Sequence, residues 1–97
     1  MNDTDLQITL RLSIQRALLG EVSPNLVAVS CGISGNTIRI ATYFDGPVSR
    51  EDRERIQSVG AEVIADFPEG FLIQETCQAV QDLEPEMLDF WAFKRAS

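Results

Sequence analysis

Glu62 and Asp66 stand four residues apart, a spacing that sets two side chains on one helical face, and paired carboxylates can in principle run general acid–base chemistry. The plainer reading of the same spacing is a solvated surface pair. Histidine is absent, which removes the commonest general base and the commonest zinc ligand. Cys31 and Cys77 are isolated thiols outside any CxxC spacing, most simply small hydrophobes buried in strands. Gly32-Ile33-Ser34-Gly35 superficially suggests a phosphate loop, but it lies between two strand-like segments and no lysine follows. Arg39, Arg50, Arg53 and Arg55 cluster around the start of a helix without an aromatic stacking platform, which speaks against nucleic acid as a partner. Glu51 and Arg55 read as a helix-surface ion pair. No residue is therefore assigned to catalysis, to a cofactor or to a metal, and binding is the more credible activity.

Charge placement points the same way. The formal net charge is −7, yet between Ile56 and Phe93 there are eight acids and no Lys or Arg, while the rest of the chain holds seven acids and all eight bases. Such a field repels nucleic acid and anionic lipid and speeds the approach of a basic partner. Glu62, Asp66, Glu69, Glu75, Asp82 and Glu84 are the candidate partner-binding carboxylates; the alternative is that they are solvated faces that keep the protein soluble. Trp91 and Tyr43 are the candidate aromatic anchors. On a strand, Trp91 would share one face with Phe93 and Asp89, and that face is an interface if it looks to solvent and packing if it looks inward.

The stretch from Asn25 to Phe67 positions these groups. Leu26, Ala28 and Ser30 alternate with Val27, Val29 and Cys31, and Ile38, Ile40, Thr42 and Phe44 alternate with Thr37, Arg39, Ala41 and Tyr43, so both runs predict strands. Gly35-Asn36 supplies positive-φ residues for a tight reversal between them. After the turn at Asp45-Gly46-Pro47, Ser49 can cap a helix from about Arg50 to Asp66, with Ile56, Val59, Val63, Ile64 and Phe67 as its apolar stripe. Upstream, residues 6 to 14 alternate like a strand but also carry a helical stripe at Leu10, Ile14, Ala17 and Leu18. The helix formers before Gly20 favour a helix from about Asp5 to Leu19. Downstream, Phe71 to Ala79 predicts a third strand, Gln81 to Glu86 an acidic loop, and Leu88 to Phe93 a fourth strand or a short helix.

The expectation is an α+β fold of order αββαββ, one domain over residues 1–97, with two hairpins forming a four-stranded antiparallel sheet and both helices packed on one face. The other face is left to water or to a partner. No apolar run approaches the roughly 20 residues a membrane span needs, and the acidic N-terminus is unlike a signal peptide, so no membrane partner and a cytoplasmic location are expected.

Gln15-Arg16-Ala17-Leu18-Leu19-Gly20, Ser23-Pro24-Asn25-Leu26, Tyr43-Phe44-Asp45-Gly46, Glu62-Val63-Ile64-Ala65-Asp66-Phe67-Pro68 and the aromatic Trp91-Ala92-Phe93-Lys94-Arg95 resemble a family of small bacterial immunity proteins associated with contact-dependent growth inhibition. The resemblance covers about Gln15 to Arg95. It implies a cytoplasmic, non-enzymatic protein that neutralises one cognate toxin, many such toxins being nucleases with basic clefts. The alternative is a homo-oligomeric interaction module, a homodimer for instance, that pairs exposed strands or faces through Trp91, Phe93 and Tyr43.

Overall fold

The computed structural model describes residues 2–81 and 84–96. Helix α1 runs Asp3–Leu18, and the Asn2 side chain accepts a hydrogen bond from the Asp5 N–H at 2.8 Å to cap it. The helical reading of this segment holds because Leu10, Ile14, Ala17 and Leu18 are buried. The competing alternation arose because Ile8 and Leu12 lie on the opposite, exposed side of the same helix. Strands β1 (Leu26–Ser34) and β2 (Thr37–Phe44) form the expected antiparallel hairpin, closed by Ser34 opposite Thr37. Of Gly35 and Asn36 only the glycine takes a positive φ, 59°, so one left-handed residue and not two makes the reversal. Helix α2 (Arg50–Ala65) opens on a capping box: Ser49 Oγ accepts from the Asp52 N–H at 3.0 Å and the Asp52 carboxylate accepts from the Ser49 N–H.

Strands β3 (Leu72–Ala79) and β4 (Phe90–Lys94) complete one sheet of order β3-β2-β1-β4. The elements follow one another as αββαββ, but the sheet is mixed: β2 and β3 are parallel, from Thr37 opposite Leu72 to Phe44 opposite Ala79, while β1 pairs antiparallel with β2 and β4. The expected second hairpin is replaced by two features: α2 is a crossover to a parallel β3, and β4 pairs with β1 and not with β3. A 16-residue helix is about 24 Å long, nearly the length of an 8-residue strand, so it returns the chain to the end where β2 began. β3 must then run alongside β2, and β4 is placed at the far edge, beside β1.

Both helices cover one face, where Leu10 and Ile14 of α1, Ile56, Val59 and Val63 of α2, and Leu26, Val29, Ile38, Ile40 and Phe44 of the sheet form the main core. The second face is not left open. The connection from β3 to β4 crosses it, and Val80 and Leu88 pack with Trp91 against Ala28, Ala41 and Tyr43. Ser30, fully buried, accepts from the Leu88 N–H at 2.6 Å and donates to the Phe90 carbonyl at 3.0 Å. The Tyr43 hydroxyl accepts from the Glu86 N–H at 3.2 Å.

Trp91 and Phe93 do not share a face, contrary to the simple alternation. Between the pairs Val29–Phe93 and Ser30–Trp91 the ladder slips, two steps on β4 against one on β1, a bulge at Ala92. Phe93 therefore packs with the helix-side core and Trp91 with the second-face cluster. Tyr43→Phe is expected to cost about 0.5–1.5 kcal/mol in urea unfolding. It should also speed exchange of the Glu86 N–H, because the hydroxyl ties the crossing segment to β2.

Candidate partner-binding surface

Asp66 ends α2, and its carboxylate accepts from Ser13 Oγ and from Arg16 Nη2, each at 2.6 Å, both on α1. Those bonds, Ser13 first, hold its carboxyl below the usual aspartate range. The Glu62–Asp66 spacing thus conceals a different partnership, in which Asp66 pins the two helices together. Glu62 and Glu69 are exposed on and just after α2, and Glu84 is exposed in the crossing segment. Asp82 lies outside the described residues.

Glu75 sits on β3 with its side chain under α2, where a β-carbon on Gly60 would collide with its carboxylate. The glycine makes the cradle. Burial there raises the Glu75 carboxyl's pKa, and among the described residues it makes no ion pair. Beside it a groove of about 370 Å³ opens between the helix and the strand, with Arg53, Ile56 and Gln57 on one wall and Glu75 and Cys77 on the other. Tyr43 and Trp91 meet edge to face on the second side of the sheet, ring centroids 6.5 Å apart, with Lys94 Nζ 5.0 Å above the Trp91 ring. Tyr43 is buried; Trp91 is half-buried. The candidate residues are therefore distributed over the α2 end, the edge of β3 and the second face.

Sequence spacing also missed carboxylates that the fold uses heavily. Asp52 is buried, which works to raise its carboxyl, but bonds from Asn25 and Ser49 outweigh this and hold it lowered. Asp89 Oδ2 accepts from the Ile33 N–H at 2.9 Å and from Gln7 Nε2 at 2.7 Å, joining the entry of β4 to β1 and α1. The mid-helix Gly60 was the one sequence signal for a close approach. Burial, with Asp89 nearby, pushes the Cys31 thiol up to about 12, and burial raises Cys77 as well, so both are poor nucleophiles.

With this geometry in place, comparison with known proteins adds one finding: the family model described as MafI2 immunity protein matches residues 7–97. No curated protein matches the chain. No helix is long and apolar enough to cross a membrane among the described residues.

The lowered Asp66 carboxyl adds stability that is present above the ordinary aspartate pKa and is lost as pH falls through its folded value. Asp66→Asn is expected to be less stable at pH 7 by under about 1 kcal/mol, since the pair is largely in water. As pH falls below the ordinary aspartate value and through the lowered folded one, the gap to the native protein should close, as urea titrations at neutral and at acid pH would read.

Proposed function

The chain belongs to the MafI2 immunity protein family, and on that ground we propose that it is a non-enzymatic inhibitor that binds one cognate bacterial toxin in the cytoplasm and silences it. The match over residues 7–97 carries the reading. The geometry supports it: Asp52 and Asp66 are held ionised by bonds that serve the fold, and the thiols are pushed away from reactivity. A binding protein needs surface instead. The accessible surface is 5786 Å², and a standard interface takes about 800 Å² per partner, roughly a seventh of it.

The toxin on this reading is a nuclease of the kind associated with contact-dependent growth inhibition. Its basic cleft is a natural target for an acidic protein that takes the place of phosphates. Glu62, Glu69 and Glu84, exposed and, among the described residues, without ion pairs, are the carboxylates best placed to supply the attraction.

Calorimetry of the purified chain with the toxin domain encoded beside it is expected to give one-to-one binding that weakens with salt. The triple variant Glu62→Lys, Glu69→Lys, Glu84→Lys should associate about tenfold more slowly with its fold intact. An unchanged on-rate in the variant would remove the electrostatic part, and a toxin that neither binds nor is silenced by the chain would remove the reading itself.

A further inference from the structure

Among the described residues β3 touches β2 and α2 and no other element, so one side of it is unpaired. The bonds from the Leu72 N–H to the Asn36 carbonyl and from the Val80 N–H to the Phe44 carbonyl bracket an unbroken parallel register. In a parallel ladder alternate residues turn both backbone groups toward the same neighbour. Residues 72, 74, 76, 78 and 80 therefore face β2, and Ile73, Glu75, Cys77 and Ala79 turn their N–H and C=O groups to the open side.

Open edges are ordinarily guarded by shortness, a bulge, lysine or proline. β4, the opposite edge, is five residues long, slips register at Ala92 and carries Lys94. β3 has eight residues with no proline, lysine or bulge, and Leu72 at its start is 60% exposed. Along it runs the groove below α2, continuing past Arg53 and Cys77 toward Pro47 and Val48.

Resting on the reading above, we infer that the free edge of β3 docks the toxin by strand addition: an extended toxin segment pairs with Ile73 to Ala79 and places a Lys or Arg opposite Glu75, its stem in the groove over Ile56 and Gln57. Side chains directly opposite in a sheet share a face, so the residue opposite Glu75 enters on the helix side. There it meets a carboxylate that forms no ion pair among the described residues. A second copy of the chain fits worse. Any register that pairs most of this edge with itself sets the two Glu75 side chains opposite or diagonal to each other, within about 8 Å, and each copy adds a charge of −7.

Amide exchange of the labelled chain, alone and with the toxin domain, tests the assignment by its alternation. In the free chain the N–H groups of Ile73, Cys77 and Ala79 should exchange fast and those of Gln74, Thr76 and Gln78 slowly. In the complex the first three should slow by about 100-fold. Glu75→Lys should weaken binding at least about tenfold while leaving Tm within a few degrees. A complex that forms with those three N–H groups still exchanging fast, or with Glu75→Lys binding as tightly, overturns the inference and leaves the proposed function standing. Protection already present in the free chain, with a doubled mass by light scattering, assigns the edge to a second copy and also overturns it. Absence of any complex removes the functional reading and this inference together.

Discussion

The parallel pairing of β2 with β3 is the constraint from which the rest of the molecule follows. A helix nearly as long as the strand before it can only return the chain to that strand's start, so β3 lies along β2 in the same direction. β1 already occupies the other side of β2. The last strand pairs with the outer side of β1 and not with that of β3, and reaching it requires a crossing of the sheet. The crossing segment covers the second face through Val80, Leu88 and the bonds from Leu88 to Ser30 and Glu86 to Tyr43. Small residues at Ala28, Ser30 and Gly32 allow that close approach, and a side chain at Gly32 would crowd Leu88 and Asp89. That crossing to β1 leaves the outer side of β3 open.

Polar groups divide along the same lines. Asp52 satisfies the start of α2 and holds Asn25, Asp66 joins the end of α2 to α1, and Asp89 joins β4 to β1 and α1. Each stands where two elements meet. Of the other acids of the second half, Glu62, Glu69, Glu84 and Glu86 are exposed and their carboxylates hold no such junction among the described residues, while Glu75 is half-buried under α2. Charge excess and structural charge are therefore carried by different residues, although the sequence presents them as one acidic run.

What could be read from the sequence was local. The Ser49 cap, the α2 stripe, the β1–β2 hairpin and the existence of all six elements rest on contacts within a few residues, and each was recoverable. Whether residues 6 to 14 are strand or helix needed the second face of α1, because a helix with apolar side chains on both sides mimics alternation at Leu6, Ile8 and Leu10. The misread features are non-local. A parallel partner leaves no mark on β3 itself, and the bulge at Ala92 reverses Phe93 by a single residue that no periodicity reveals. For the same reason Asp66 looked like a partner of Glu62, its neighbour on the helix, when Ser13 and Arg16 claim it from the far end of the sequence.

On the proposed docking, two contributions to toxin binding would differ in kind. Exposed pairs formed by Glu62, Glu69 or Glu84 are worth a few tenths of a kcal/mol each in water, and they act over the several ångströms of a Debye length. They hasten encounter more than they hold the complex. Backbone bonds along Ile73 to Ala79 are worth about 1 kcal/mol apiece net and require one orientation and one register. They govern dissociation, as differences between related complexes usually do. Relatives sharing the acidic field would then attract many basic toxins, while the side chains lining the β3 groove, Arg53, Gln57 and Glu75 here, would decide which toxin strand stays bound. On the proposed docking, specificity would belong to the free edge of β3.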